Sequence, residues 1–179
     1  MIEIKRCRWI ALALLSIILS ASTLANDDVP VPNNADTLAI PDWEITTQDG
    51  GKISSDTLDN KPYILHFWAT WCPYCKKLQP GLDALYKKYR AQGIELIGVS
   101  YNEDPETYPQ TVLEKRGHSF ITGVEGEDVA QLLDVPGTPT TFFVYGDGQV
   151  LAKTRISDPN DERLEKAVLM LLEHYKENH

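Results

Sequence analysis

Tyr63-Ile64-Leu65-His66-Phe67-Trp68-Ala69-Thr70-Trp71-Cys72-Pro73-Tyr74-Cys75-Lys76-Lys77 is the stretch that decides the fold. It begins as an apolar run interrupted only by His66, the pattern of a strand covered by helices on both faces. From Pro73 onward Leu78, Leu82, Leu85 and Tyr89 recur at helical spacing, which predicts a helix to Arg90, and Gly93 stops it. Pro80 falls inside that helix and predicts a kink. Ile94 to Ser100 is a second buried strand. Strand, helix and strand in this order imply a parallel pair with a right-handed crossover. Two cysteines separated by two residues therefore stand at the carboxyl edge of a central strand, where open α/β sheets place their sites.

At the amino end of a helix, unpaired N–H groups and the helix dipole favour a negative sulfur, so Cys72 is expected to be the more acidic thiol and open to an incoming disulfide. Cys75, one turn inside, is expected to be less exposed and to resolve the mixed disulfide. Pro73 suits the first helical turn because it has no amide hydrogen to lose there. Taken alone, the spacing also fits a structural bridge or half a metal site. The flanking strand and helix favour a redox pair. His66, His118, His174 and His179 do not repeat at ligand spacing, so no metal is expected.

Outward from this unit, residues 43–47 alternate, break at Asp49-Gly50-Gly51 and resume at Lys52-Ile53-Ser54, a hairpin signal. Helices are expected over 106–115 and 127–133, with a short strand over 119–122 between them. Residues 141–145, the turn Gly146-Asp147-Gly148 and residues 149–153 form a second hairpin. An amphipathic helix over 161–177 closes the domain through Leu164, Val168, Leu171, Leu172 and Tyr175.

Lys5, Arg6 and Arg8, an uncharged run to Ala25 and the polar Asn26-Asp27-Asp28 have the build of a signal peptide over residues 1–25. The run is shorter than the ~20 residues of a full span; an uncleaved anchor is the alternative. Residues 26–39 are expected to be a flexible leader, and one domain fills 40–179. Removing residues 1–25 takes away Cys7, three bases and one acid, so the formal charge goes from −9 to −11. That balance excludes nucleic acid as a partner. An exported chain also meets conditions in which an inert bridge persists.

The stretch from Phe67 to Lys77 followed by Pro80, and then Gly137-Thr138-Pro139-Thr140-Thr141-Phe142, resembles the thioredoxin superfamily. The hairpin of residues 42–54 and the insert of residues 102–134 narrow the resemblance to the TlpA/ResA-like branch of exported thiol-disulfide oxidoreductases. The resemblance implies an α/β, thioredoxin-like three-layer fold with an N-terminal β-hairpin extension and a central helical insert. It makes Cys72 the attacking and Cys75 the resolving cysteine, and puts a cis bond at Thr138-Pro139. The Thr138 backbone then pairs with a substrate segment, and Trp71, Pro73 and Tyr74 belong to the substrate-binding rim, with Trp68 in the core. No cofactor is implied beyond the redox-active Cys72–Cys75 disulfide. Implied partners are protein thiols and disulfides and a membrane electron donor or acceptor. A periplasmic monomer acting as a reductant, as in cytochrome c maturation, is the expectation.

Two positions depart from the family. His66 stands where relatives carry an acid or asparagine, and Leu78 where many carry glutamate, so neither carboxylate that tunes the pair is present. Family geometry puts His66 beneath Cys75, as a proton relay in its neutral form or a thiolate-stabilising charge when protonated. The alternative is a core histidine bonded to a backbone carbonyl. A peroxidase needs Thr or Ser where Ala69 sits, and a binding or chaperone module with a permanent bridge is the non-enzymatic rival.

Overall fold

A computed structural model describes residues 38–58 and 60–178; the expected signal peptide and nearly all of the leader lie outside them. The described strands are β1 (Glu44–Thr47), β2 (Lys52–Ser54), β3 (Tyr63–Trp68), β4 (Glu95–Ser100), β5 (Ile121–Val124), β6 (Thr140–Val144) and β7 (Val150–Thr154). The helices are α1 (Pro73–Tyr89), α2 (Pro109–Lys115), α3 (Glu127–Leu132) and α4 (Glu162–Asn178).

All six residues of β3 are buried, as an apolar run with no polar face requires. The sheet order is β2-β1-β5-β4-β3-β6-β7. β3, β4 and β5 run parallel, while β6 pairs antiparallel with β3 and β1 antiparallel with β5. The amino-terminal hairpin thus joins the sheet through β5, on the far side of β4 from the cysteines. Alternation along the strands divides the core. Ile64, Trp68 and Phe143 pack with Leu78 and Leu82 of α1, Leu113 of α2 and Leu164, Val168 and Leu171 of α4. Leu65, Phe67, Ile97, Val99 and Phe142 face the other way, against Trp43, Ile45 and Val129 of α3.

The insert departs from expectation at its boundaries. α2 begins at Pro109 and not at Glu106, because Glu106 has φ 63°, outside the helical region, whereas Pro109 meets the first helical position with no donor to lose. β5 starts at Ile121, two residues later than expected. Ser119 is drawn away by Asp83 of α1, to which it donates its N–H (2.7 Å) and hydroxyl (2.9 Å). α1 runs through Pro80 as one helix and ends at Tyr89, where a short 3-10 turn takes over up to Gly93 at φ 104°. Gly98 on β4 answers a close approach: a Cβ there would lie 2.6 Å from Thr122 Oγ1 and 2.9 Å from Trp68 Nε1. Those two atoms are themselves hydrogen-bonded at 3.0 Å.

Candidate active site

Cys72 and Cys75 lie where β3 has ended and α1 begins. Cys72 is the N-cap, with extended backbone at φ −76° and ψ 112°, and Pro73 opens the helix. The Cys75 N–H, one of the donors a helix start leaves free, points at Cys72 Sγ at 3.1 Å. After reduction that donor and its neighbours would favour a thiolate at this sulfur. The two sulfurs are joined as a disulfide, with Cα atoms 5.3 Å apart.

Cys75 is fully buried, and Cys72 retains only 2% exposure. The expectation of an open Cys72 is therefore corrected for the oxidised state. Its side chain turns into the layer of Ile64, Trp68 and Leu78, because an apolar sulfur at the end of a buried strand gains by packing. Exposure passes to the neighbours instead: Trp71 and Tyr74 are 57% and 62% exposed, and Pro73 is exposed too. Trp71 is held upright by its indole N–H, which donates to Asn102 O at 2.8 Å. Trp68 is wholly buried.

Register brings the second motif to the same edge. Thr140 pairs with Phe67 and Thr141 with His66, so the turn entering β6 emerges beside the turn leaving β3. The Thr138–Pro139 bond is cis. Pro139 is buried, Thr138 half-buried, and Thr140 Oγ1 donates to Gly137 O at 2.6 Å.

His66 is fully buried on the face of β3 shared by Ile64 and Trp68, the layer that contains Cys75. Its Nδ1 lies 3.0 Å from Thr141 Oγ1, and its Nε2 has no hydrogen-bond partner among the described residues. The bond to a backbone carbonyl is thus replaced by a cross-strand hydroxyl. Burial, reinforced by the nearby His118, pushes its pKa down to about 3, so the imidazole is neutral and the charged form is withdrawn.

A stability prediction follows. Below pH 6.5 an unfolded chain protonates this histidine while the folded one refuses the proton until about pH 3. Stability is then full above pH 6.5 and falls as pH drops through that window, at ~1.4 kcal/mol per pH unit. His66→Asn is expected to flatten that part of a urea-midpoint against pH curve; an unchanged slope would refute the assignment.

The residues that sequence spacing missed are Glu103, Arg116 and Gln79. Glu103 and Arg116 lie in a polar insert with no periodic signal, and only the fold brings them to Thr70, just before the cysteines. Gln79, fully buried, sits one turn beyond Cys75 on α1. Leu78 is buried in the core, and Ala69, also buried, has no hydroxyl to polarise a peroxide. Among the described residues no three His, Cys, Asp or Glu side chains converge as metal ligands would.

A model of the AhpC/TSA family matches residues 37–153. The thiol-disulfide oxidoreductase ResA of Bacillus thuringiensis (strain Al Hakam) is 30% identical over 126 residues, covering 70% of this chain and 72% of its own length. The thiol:disulfide interchange protein DsbE of Yersinia pestis is 33% identical over 119 residues, 66% of this chain and 61% of that protein. Among solved structures, a thioredoxin family thiol:disulfide interchange protein of Chlorobium tepidum TLS superposes with a TM-score of 0.68. It shares 23% identity over 78% of this chain and 99% of its own, a likeness of fold.

Proposed function

The chain belongs to the AhpC/TSA family and is a thiol-disulfide oxidoreductase of the ResA and DsbE type, and from that premise we propose that it is an exported reductant of protein disulfides. The observation that carries this is the Cys72–Cys75 disulfide capping α1 at the sheet edge shared with the cis-proline turn. In the reduced protein the Cys72 thiolate attacks one sulfur of a substrate disulfide. The substrate bond breaks, its leaving sulfur takes a proton, and a mixed disulfide joins Cys72 to the substrate. Cys75 then gives up its proton, attacks Cys72 Sγ and releases the second substrate thiol. Neutral His66, whose Nε2 has no partner among the described residues, is the relay for that proton, and because burial disfavours imidazolium it does not keep the proton but passes it on to the departing substrate sulfur. The Thr138 backbone aligns the substrate segment, and Trp71, Pro73 and Tyr74 form the face it meets.

The direction of electron flow is supported by what is missing around Cys72. A couple becomes oxidising when its reduced form is stabilised, as a strongly favoured thiolate does. Here a cationic His66 is withdrawn by burial, leaving the helix terminus as the main thiolate-stabilising feature. Residues 1–25 would direct export, and a membrane donor would return electrons to a monomeric protein. Among the described residues no helix is long and apolar enough to cross a membrane.

Equilibrating the pair with glutathione buffers tests the direction. A Cys72/Cys75 potential well below the glutathione poise is expected; one well above it would make the protein an oxidant. His66→Asn is expected to slow resolution of the mixed disulfide throughout about pH 5 to 9, where the buried imidazole stays neutral. Unchanged rates would remove the relay.

A further inference from the structure

The segment joining β4 to β5 grips the loop in front of Cys72 with an acid and a base. Glu103 Oε1 accepts the Thr70 N–H at 2.8 Å and Oε2 the Thr70 hydroxyl at 2.6 Å. The Ser100 hydroxyl also donates to Glu103 Oε1. Arg116, the C-cap of α2, donates Nη2–H to the Thr70 carbonyl and Nη1–H to Gln79 Oε1, both at 2.9 Å. Its guanidinium stands 5.8 Å from the Trp68 ring. Thr70 is thus held at its N–H and hydroxyl by a carboxylate and at its carbonyl by a cation. The next link is Ala69, whose carbonyl accepts the Cys72 N–H at 3.1 Å.

We infer that Glu103 and Arg116 are positioning residues that act through Thr70 as a charge-balanced clamp and set the reduction potential of the Cys72–Cys75 pair. The inference deepens the proposed function and rests on Cys72 being the attacking sulfur. Reduction puts two electrons into the sulfur–sulfur bond and two protons on the sulfurs, and ionisation of Cys72 then releases one proton to solvent. The negative charge so created lies two residues from Thr70. A cation there favours the reduced state and a carboxylate opposes it. With both in place the two effects largely cancel. Burial lowers the Arg116 pKa, and the charge of Glu103 works against that fall, which shows the two groups within electrostatic reach of each other. Lys76 and Lys77, which follow the pair on α1, are exposed and are common to every variant below.

A clamp of balanced charge makes a signed prediction that a merely structural network does not. Glu103→Gln leaves the cation unopposed, so the potential should rise. Arg116→Gln leaves the carboxylate unopposed, so it should fall. Each shift is expected to be about tenfold in the exchange constant, or ~30 mV for this two-electron couple. The double variant should return towards wild type, and Arg116→Lys, which keeps the charge, should stay near it. The measurement equilibrates each full-length protein in reduced and oxidised dithiothreitol at pH 7, followed by alkylation of free thiols and mass analysis. If one variant fails to fold, the sign of the other decides. Shifts in the same direction, or none, while the wild-type pair still titrates as a two-electron couple, would overturn the clamp and leave the proposed function standing. A wild-type pair that does not titrate, or equal insulin reduction by Cys72→Ser, would instead bring down the function itself.

Discussion

Cys75→Ser is expected to stop the reaction half-way, with close to one substrate molecule tethered to each chain through Cys72. The reason lies in the division of labour at the start of α1. Cys72 caps the helix and keeps what little exposure the pair has, whereas Cys75 is sealed beneath it. On the proposed mechanism the capping sulfur meets the substrate and the one beneath it performs the release. Reduced Cys75→Ser incubated with oxidised insulin should therefore give a covalent adduct on a non-reducing gel that dithiothreitol dissolves. Cys72→Ser should give no adduct, and its insulin turnover should fall to the rate of dithiothreitol alone. An adduct of equal yield through Cys75 in the Cys72→Ser protein would reverse the two roles.

Trp68→Ala is expected to be the most costly single change near the site, at about 3–5 kcal/mol, the range for truncating a large buried aromatic. Against a typical total of about 5–15 kcal/mol this leaves a marginal protein. The ring is wholly buried at the end of β3, its Nε1–H donates to Thr122 Oγ1, and Arg116 stands over its face. It shares a core layer with both cysteines. Trp68→Phe keeps most of that packing and loses the indole hydrogen bond, so it should cost about 1–2 kcal/mol. Urea unfolding of the oxidised proteins separates the two, with a shifted midpoint and an unchanged slope. A loss below about 1 kcal/mol for Trp68→Ala would mean that the surrounding side chains close over the gap and that the ring does not hold this core layer together.

Much of this protein could be read along the chain because its strongest signals are local. Residues 63–68 lack any polar face but His66, and all six are buried. Leu78, Leu82, Leu164, Val168 and Leu171 recur at helical spacing, and all lie in one core cluster. The insert was less legible. Its helices are short and polar, and their ends depend on a backbone turn at Glu106 and on the claim of Asp83 on Ser119, neither of which has a periodic signature. The exposure of Cys72 also escaped local reasoning, since helix position says which sulfur is favoured as an anion but not how closely neighbouring side chains pack over the bridge.

By itself the chain determined the order of strand and helix around the cysteines, and with it the position of Cys72 at a helix start, because hydrophobic periodicity and the missing N–H of Pro73 act over a few neighbouring residues. Only the folded molecule decided the surroundings of that pair. The parallel placement of β4 beside β3 and the capping of α2 by Arg116 carry two opposite charges across 33 and 46 positions to a single threonine. The pairing of β3 with β6 sets a neutral His66 against Thr141, 75 positions away. Such contacts are set by sheet register and layer packing, which depend on the whole chain at once and leave no local pattern.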